Sequence, residues 1–501
     1  MERKRSVRPV SAGPPADLEC DVLVVGFGCA GASAAYEAAA AGADVLVLER
    51  ASGAGGSSAL SGGEVYLGGG TALQQACGIP DSPEQMKAFL LAALGPDCDE
   101  DKVDAYCTGS VEHYDWLVAR GIPFTPSIWD APTWVPPTED GLMWLGEAAH
   151  PFPTVATPAA RGHRPTAKDF GGWLLMDKLA AAATEAGART QVDTVAERLI
   201  LDRDRVAGVV ARQYGEQIVV RARRSVVLTT GGFVDDEAML AQHAPQLVGL
   251  DKVSCGGEDG SGIRMAQAVG AAVRHMSAGQ VAITLVPGMA ARGIVVNGTG
   301  QRFINEDCYP GRIGQAALFR QGLDCWVVLD EQAYEAVPVN ERWGVLPHVV
   351  AESVTELAEE LGLPAGALEA TVALYNSHAA DGQDPVFHKR AEFVRPLAPP
   401  YAAIDPKRCF RTPEQGRGSG AAVFTLGGLH TTVDGHVLDL DGRPVPGLFA
   451  AGRATSGLAS WGYVSGTSLG DGTYFGRRAG SAAAKSPAEW DSTTMTTGSR
   501  A

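Results

Sequence analysis

The chain has 501 residues, 62 of them glycine, and carries a formal net charge of −17 with no long basic run. This charge balance argues against a partner with a phosphate backbone, such as nucleic acid, and against an anionic membrane surface. The nine cysteines are scattered without a C-x-x-C pair, so we expect reduced thiols, a cytoplasmic location and no metal site.

The first element in chain order is a strand–turn–helix–strand unit over residues 21–49. A short apolar run typical of a buried parallel strand opens the unit, and Gly26, Gly28 and Gly31 follow in a G-x-G-x-x-G frame. An alanine-rich helix and a second apolar strand come next, and this strand ends on Glu49, 18 residues beyond Gly31. In such units the glycines admit a pyrophosphate, the helix N-terminus faces its phosphates, and the acid binds the ribose hydroxyls. The unit therefore predicts dinucleotide binding.

A glycine–serine run, GGSSALSGG, follows at residues 55–63 and is suited to wrap a ligand with backbone donors and small hydroxyls. Three further motifs come later: RSVVLTTGGF at 224–233, EDGSGIRMAQAVG at 258–270 and GLFAAGR at 447–453. In this order the four motifs resemble the flavoprotein family of fumarate reductases and 3-ketosteroid dehydrogenases. The resemblance implies FAD. Because residues 55–63 contain no histidine, we expect the cofactor to be bound without a covalent link.

The resemblance and the glycine motifs together indicate which residues contact FAD. Arg453 departs from the family pattern, since relatives often carry an acid or an asparagine after the preceding glycine. Ala196 stands where relatives place a backbone contact to adenine. The expected cofactor contacts are Gly26, Gly28, Cys29, Ala30, Gly31, Glu49, Arg50, Gly56, Ser57, Ser58, Ser61, Gly62, Gly63, Ala196, Thr230, Gly231, Gly232, Asp259, Gly452, Arg453, Ser468 and Leu469.

Local signals predict the elements between these motifs. Residues 122–170 form a long irregular stretch rich in proline that carries Trp129, Trp134 and Trp144, and we expect it to be a flap over the site. Helices are predicted at 82–94, 99–120, 171–187, 262–272, 353–361, 368–379 and from Ser468 onward, strands within 190–220 and at 225–230, and a hairpin at 434–442.

Together these elements predict an α/β fold, namely a Rossmann-like FAD-binding domain with an inserted α+β catalytic, or cap, domain. Glycine motifs become rare in the middle of the chain, and this change in composition sets the domain boundaries. No segment has the roughly 20 apolar residues of a membrane span. No second strand–glycine–helix unit is visible for a nicotinamide cofactor, so we expect an external electron acceptor. The predicted parts are the FAD-binding domain at 17–277 and 427–486, the cap domain at 278–426, and flexible tails at 1–16 and 487–501.

Candidate catalytic residues lie in the segment SWGYVSGTSLGDG, residues 460–472. In an extended strand, Tyr463 and Ser465 project from the same face. Gly466 then turns the chain into a helix whose N-terminus favours negative charge on a reduced flavin. From the residues alone, a structural interpretation is equally good: Tyr463 is then a core aromatic residue and Ser465 a turn residue, and neither has a catalytic role.

The Y-x-S-G segment, followed by L-G-D-G, resembles the corresponding part of 3-ketosteroid Δ4-(5α)-dehydrogenases. In that family the tyrosine binds the C3 carbonyl, and the serine shares proton abstraction with a tyrosine that follows an R-F-x-N-E motif. In this chain RFINE occupies 302–306, and Tyr309 follows it. The resemblance implies an apolar 3-ketosteroid substrate that loses a proton from C4 and a hydride from C5 to flavin N5. The catalytic residues implied are Tyr309, Tyr463 and Ser465.

Three other interpretations stay open on the sequence, which also leaves the oligomeric state undetermined. A 3-ketosteroid Δ1-dehydrogenase would share the flavin motifs, but a different run follows its C-terminal tyrosine. An enoate reductase of the fumarate-reductase type would need converging arginines, for which Arg161, Arg164 and Arg312 are the candidates. The third is a flavoprotein fold kept as a binding protein without turnover.

Overall fold

The structure is a computed structural model that describes residues 7–11 and 15–488. Its β-strands are β1 Val10–Ser11, β2 Leu18–Val25, β3 Val45–Leu48, β4 Val65–Tyr66, β5 Ile128–Trp129, β6 Leu142–Met143, β7 Gly162–His163, β8 Arg189–Gln191, β9 Thr194–Asp202, β10 Arg205–Gln213, β11 Glu216–Leu228, β12 Asp251–Lys252, β13 Val273–Arg274, β14 Gly279–Ile283, β15 Ile294–Asn297, β16 Cys325–Asp330, β17 Val349–Ala351, β18 Tyr401–Ile404, β19 Ala421–Thr425, β20 Gly428–Leu429, β21 His436–Leu438 and β22 Pro444–Ala450.

The α-helices lie between these strands in the chain or after the last of them, with four in succession after β4. They are α1 Cys29–Ala40, α2 Gly56–Ala59, α3 Ala72–Ala76, α4 Pro83–Leu94, α5 Glu100–Thr108, α6 Ser110–Ala119, α7 Gly172–Glu185, α8 Glu237–His243, α9 Ser261–Gln267, α10 Pro287–Arg292, α11 Pro310–Gln321, α12 Glu331–Glu335, α13 Val354–Glu360, α14 Ala367–Ala379 and α15 Thr467–Lys485.

A nine-stranded sheet forms the centre of the fold, with the order β1-β9-β10-β11-β2-β3-β8 and with β22 and β21 branching from β11. β2 pairs in parallel with β3 and with β11, and β22 pairs in parallel with β11. All four residues of β3 are buried, as expected for a parallel strand covered on both faces. The predicted strand–helix–strand unit is confirmed as β2, α1 and β3, and the return of the chain through β22 places both ends of the FAD-binding part in one sheet.

Helix α15 packs closely against α1 because glycines line their contact. A Cβ atom on Gly480 would lie 2.1 Å from the carbonyl oxygen of Ala34, and a Cβ on Gly476 would lie 2.5 Å from that of Ala30. No larger residue fits at either position without moving a helix backbone. This close packing fixes the start of α15, at Thr467, next to the start of α1.

A second, smaller antiparallel sheet has the order β15-β16-β18-β17. It packs with α13 and α14 around a hydrophobic cluster of its own, which includes Ile294, Val328 and Leu368. Strands β14 and β19 pair with each other beside β12 and connect this part to the central sheet. The predicted α/β class with an inserted second unit is confirmed, and we keep the boundaries at 277 and 426 as a proposal.

Some predicted elements have different bounds in the structure. The predicted helix 99–120 is wrong as a single element: α5 ends at Thr108 and α6 begins at Ser110, because Gly109 leaves helical geometry with φ −86° and ψ 1°. The predicted helix 262–272 ends early, as α9, since Gly270 adopts a φ of +93°. Of the strand predicted at 225–230, residues 225–228 form the last part of β11, which ends at Leu228. Residues 1–6, 12–14 and 489–501, which include most of the predicted tails, lie outside the described residues.

The proline-rich segment 122–170 has more regular structure than its sequence indicates. It contributes β5, β6 and β7 to a four-stranded sheet with β4, and Trp134 reaches the cavity described below. The Trp134 indole N–H donates a hydrogen bond to the Leu285 carbonyl at 2.9 Å, which ties the segment to the second unit. Within residues 7–11 and 15–488, no helix combines the length and hydrophobicity needed to cross a membrane.

Candidate active site

A cavity of about 1090 Å³ opens at the carboxyl ends of β2 and β3. The first turn of α1, the glycine–serine run and the segment before α15 all line it. Most of the predicted FAD contacts lie on its walls. The predicted cofactor-site residues that do not line it are Gly31, Gly63, Gly232 and Asp259.

These four residues support the cavity wall from behind. A Cβ on Gly31 would lie 1.9 Å from the Gly26 carbonyl oxygen, so this glycine permits close packing of helix and strand. Asp259 accepts a hydrogen bond from Arg50 at 3.0 Å and holds that side chain at the cavity edge. The Gly232 N–H donates to Glu258 at 3.2 Å, and Gly63, at a φ of +88°, lies against Gly171.

The residues at the strand ends fit a dinucleotide. Gly26 adopts a φ of +102°, and a Cβ there would lie 2.5 Å from the Thr229 carbonyl oxygen, so only glycine forms this turn. The Glu49 carboxylate is fixed by two backbone donors, Phe27 N–H at 2.7 Å and Ala51 N–H at 2.8 Å. Each carboxylate oxygen keeps a free lone pair for a ribose hydroxyl. The buried Thr230 hydroxyl makes no hydrogen bond within the described residues, which leaves it available to a ligand.

The unexpected Arg453 has an acidic partner. Its guanidinium contacts the Glu258 carboxylate and lies 4.8 Å from the centroid of the Phe424 ring. Glu258 also accepts from the Ser57 hydroxyl at 2.5 Å, so one buried carboxylate joins Arg453 to the glycine–serine run. Burial opposes the charged form of Arg453, but the Glu258 carboxylate outweighs it and raises the pKa of Arg453, so the arginine stays charged.

Tyr463 is buried at the start of α15. Its hydroxyl is hydrogen-bonded to Ser468, through both the side chain and the backbone N–H. Burial raises the pKa of Tyr463, while these hydrogen bonds and the Arg453 charge oppose the rise. The Phe424 ring stands perpendicular to the Tyr463 ring, with the centroids 5.2 Å apart. A neutral phenol whose oxygen accepts from a helix N-terminus is a strong hydrogen-bond donor to a substrate oxygen.

Tyr309 lies opposite Tyr463 in the same cavity, with the ring centroids 6.4 Å apart. Its hydroxyl accepts from the Gln280 side-chain amide at 3.3 Å and is within hydrogen-bonding reach of Ser465. Burial raises the pKa of Tyr309 well above its ordinary value of 10.0, so this phenol is neutral at neutral pH. The three predicted catalytic side chains therefore meet at one wall of the cavity.

Comparison with known proteins identifies the family. The sequence pattern of the FAD binding domain matches residues 21–469, which is most of the chain. This chain belongs to the FAD-binding domain family. FAD is the cofactor of this flavoprotein, in agreement with the fit of Gly26, Glu49 and Thr230.

Individual relatives of the flavoprotein have several activities. A 3-ketosteroid Δ4-(5α)-dehydrogenase from Rhodococcus jostii RHA1, solved with 4-androstene-3,17-dione, is 50% identical with a TM-score of 0.91, covering 96% of this chain and 100% of that one. A probable fumarate reductase of Shewanella frigidimarina is 28% identical over 95% of this chain and 76% of its own length. A 3-oxosteroid 1-dehydrogenase of Mycobacterium tuberculosis is 26% identical over 91% of this chain and 97% of its own length.

The three arginines considered for a carboxylate substrate do not line the cavity of the flavoprotein. Arg161 is fully buried and binds both oxygens of Asp81, at 2.6 and 2.9 Å. Arg164 donates to a set of backbone carbonyls within the proline-rich segment. The Arg312 guanidinium lies 4.6 Å from the centroid of the Phe152 ring and is partly buried, outside the cavity lining.

Among the cavity residues to which the sequence assigned no contact are Glu64, Gln280 and Glu258, whereas Trp134 belongs to the predicted flap over the site. Glu64 directly follows the Gly62-Gly63 pair, and an acid at the end of a predicted cofactor run is a signal that could have identified it. Glu258 opens the motif at 258–270 but was not assigned a contact. Gln280 belongs to β14, and no motif marks it.

Proposed function

We propose that the protein is an FAD-dependent 3-ketosteroid dehydrogenase that introduces a double bond between C4 and C5 of a 5α-3-ketosteroid. The observation that carries the proposal is the meeting of Tyr309, Tyr463 and Ser465 at one wall of the FAD cavity. The 50% identity to the Rhodococcus enzyme, solved with a 3-ketosteroid, supports the substrate class.

Tyr463 is suited to bind the C3 ketone oxygen. A hydrogen next to a ketone becomes acidic only when the negative charge that develops on the oxygen is stabilised. The Tyr463 hydroxyl supplies a donor, and the Ser468 N–H behind it favours that charge. Arg453 adds a fixed positive charge at the same place, since it lowers the pKa of Tyr463.

Ser465 and Tyr309 form the pair that removes the C4 proton. Their hydroxyls are within hydrogen-bonding reach of each other. When Ser465 Oγ accepts a proton, Ser465 can therefore pass its own hydroxyl hydrogen to Tyr309. Because the raised pKa of Tyr309 keeps its phenol neutral before the reaction, Tyr309 transfers a proton onward and does not act as a phenolate base. FAD, when bound, supplies the electron sink for the hydrogen and electron pair that leave C5.

The walls of the cavity favour an apolar substrate over a dicarboxylate. Trp134, Trp343 and Phe424 line it, and its lining arginines, within the described residues, are Arg50 and Arg453. Both arginines pair with acids, so neither is free to bind a substrate carboxylate. This favours the steroid reaction over the enoate-reductase alternative. The spacing of Tyr463 and Ser465 favours the Δ4-(5α) reaction over the Δ1 reaction.

The experiment is dye-coupled turnover of a saturated 5α-3-ketosteroid beside a Δ4-3-ketosteroid, with the position of the new double bond determined by NMR. We expect conversion of the first substrate to the Δ4 product. Conversion of the Δ4 substrate to a 1,4-diene would instead assign a Δ1-dehydrogenase. Reduction of fumarate by the dye-reduced enzyme, with neither steroid converted, would contradict the proposal.

We further propose an external electron acceptor and a cytoplasmic location. All nine cysteines are free, which supports a reducing environment. We expect neither NADH nor NADPH to bleach the flavin directly, whereas an artificial dye reoxidises it. Rapid anaerobic bleaching by either nucleotide would contradict this part of the proposal.

A further inference from the structure

The proposed proton relay lacks a final acceptor among the residues assigned so far. Ser465 and Tyr309 are both neutral hydroxyls, and burial opposes ionisation of Tyr309. The C4 proton must therefore reach a group that is ionised before the reaction begins. A carboxylate in the same cavity would meet this requirement.

Three carboxylates line the cavity within the described residues: Glu49, Glu64 and Glu258. Glu49 is held by two backbone donors at the ribose end. Glu258 is engaged by Arg453, by Ser57 and by a backbone N–H. Glu64 differs from both, because its Oε1 atom is buried and makes no hydrogen bond within the described residues.

Glu64 also lies next to the catalytic segment. A Cβ on Gly62 would lie 2.4 Å from either carboxylate oxygen of Glu64, which places the carboxylate against the glycine–serine run. A Cβ on Gly466, the residue after Ser465, would lie 3.1 Å from the Glu64 carbonyl oxygen. The Glu64 charge acts on both tyrosines, since it raises the pKa of Tyr309 and of Tyr463.

We propose that Glu64 is the proton acceptor at the end of the Ser465–Tyr309 relay, an inference that rests on the proposed dehydrogenation. The C4–H bond breaks, and its electron pair stays on the substrate as the enolate bound by Tyr463. The proton goes to Ser465 Oγ, the Ser465 hydrogen to Tyr309, and the Tyr309 hydrogen through water in the cavity to the Glu64 carboxylate, because the described residues show no direct hydrogen bond between Tyr309 and Glu64. Both hydroxyls end neutral, Glu64 becomes a neutral carboxyl group, and this proton is then released to solvent.

The surroundings of Glu64 suit an acceptor that ionises, because its one cationic neighbour in the described part of the chain forms a long ion pair with it and makes no hydrogen bond to Oε1. The Arg164 Nε atom lies 3.8 Å from Glu64 Oε1, and this guanidinium nitrogen makes no hydrogen bond within the described residues. Burial raises the pKa of Glu64, and the Arg164 charge partly opposes the rise. The charged and titratable groups that face Glu64 are thus Arg164, Tyr309 and Tyr463.

The proton step can be measured apart from hydride transfer. The holoenzyme is held reduced with dithionite in D2O under anaerobic conditions, so that a saturated 5α-3-ketosteroid exchanges its C4 hydrogen without being oxidised. Mass spectrometry then gives the rate of deuterium incorporation. We expect Glu64→Gln to lower this rate by about 10²–10⁴-fold, the usual contribution of a general acid or base. Flavin content and the steroid-induced change in the flavin spectrum should be unchanged.

Glu147→Gln is the matched control. Glu147 is another buried carboxyl group with an unpartnered Oε1, and burial raises its pKa to about 7, but it does not line the cavity. We expect wild-type exchange from this variant. Equal losses in the Glu64 and Glu147 variants would mean a general effect of removing a buried acid and would overturn the assignment.

The pH profile supplies a second measurement. Because Glu64 must be ionised to accept a proton, wild-type kcat/KM should fall as the pH drops through its raised pKa, and Glu64→Gln should lack this acidic limb. Glu64→Asp should keep the acidic limb of the pH profile at a reduced rate, and this variant replaces Glu64→Gln as the test if Glu64→Gln loses its flavin.

Deuterium exchange at the wild-type rate by Glu64→Gln overturns this inference alone. If Glu64→Gln loses its flavin, exchange at the wild-type rate by Glu64→Asp does the same. Failure of the wild type to exchange or convert any 3-ketosteroid overturns the proposed function itself.

Discussion

The hydroxyl of Ser465 is within hydrogen-bonding reach of the Tyr309 hydroxyl although the two residues stand 156 positions apart in the chain. Ser465 comes from the segment that leads into α15, and Tyr309 is the N-cap residue of α11. The two units of the protein thus each supply one member of the pair. A substrate that lies between them contacts the FAD-binding part and the inserted part at once.

Replacement of Tyr463 by phenylalanine tests the ketone-binding role. Tyr463→Phe keeps the ring that packs on Phe424 but removes the hydroxyl held by Ser468. The lost hydrogen bond strengthens as charge builds on the substrate oxygen, so turnover should fall by about 10²–10³-fold with a smaller effect on binding. Steady-state kinetics and steroid titration of the flavin spectrum measure the two effects. A change confined to KM would mean that Tyr463 only binds the steroid.

A charge reversal at Glu49 tests the cofactor site. Glu49→Arg removes the acceptor for the Phe27 and Ala51 N–H groups and places a cation where ribose hydroxyls need a carboxylate. The purified variant should hold much less FAD than the wild type, as measured by flavin absorbance per protein. Heat or acid should release intact FAD from the wild type, since the link is non-covalent. Flavin that stays with the denatured chain would contradict non-covalent binding. An unchanged FAD content in Glu49→Arg would show that Glu49 does not contribute to FAD binding.

The sequence predicts the FAD-binding part well because its signals are local. The glycine frame at 26–31 and the apolar strands beside it specify a turn whose geometry only glycine permits, and the structure reproduces it. The motif at 302–306 likewise identifies Tyr309 through a resemblance that spans only a few residues.

Long-range pairings in the site could not be predicted in the same way. Arg453 and Glu258 are 195 residues apart, and nothing near either residue indicates that they meet. Gln280 reaches Tyr309 because α11, which Tyr309 caps, packs on β14, and no local motif indicates this packing. The Tyr474 ring of α15 likewise lies against Gly109, where the helix expected at 99–120 divides, and no local signal indicates that contact.

The ion pair of Arg453 predicts an effect on stability. Arg453→Gln leaves the Glu258 carboxylate, which is 4% exposed, without its cation. Loss of a hydrogen bond to a charged, buried group should lower the free energy of unfolding by about 1.5–3 kcal/mol. Arg443→Gln is the control, because Arg443 is 71% exposed in its ion pair with Asp439. This substitution should lower the free energy of unfolding by under about 1 kcal/mol. Urea unfolding of both variants measures the difference, and equal midpoints would contradict a stabilising role for the buried pair.

The last prediction concerns Ser465 and Tyr309 as one relay. Ser465→Ala and Tyr309→Phe each break the hydrogen bond between the two hydroxyls, so either substitution should stop proton transfer while the steroid still perturbs the flavin spectrum. Residues that act as one unit are strongly non-additive, and the double variant should therefore lose little more turnover than either single variant. The four proteins, wild type included, form a double-mutant cycle measured by dye-coupled turnover.

Gln280→Leu is the matched control for this cycle, because the Gln280 amide donates to the Tyr309 hydroxyl at 3.3 Å without belonging to the relay. Its loss removes a positioning contact, so turnover should fall less than in Tyr309→Phe, and combining Gln280→Leu with Tyr309→Phe should add no further loss. If the Ser465 and Tyr309 losses multiply in the double variant, the two hydroxyls act independently. If Tyr309→Phe keeps wild-type turnover, the proton leaves by a route that does not involve Tyr309, and the relay to Glu64 has no first step.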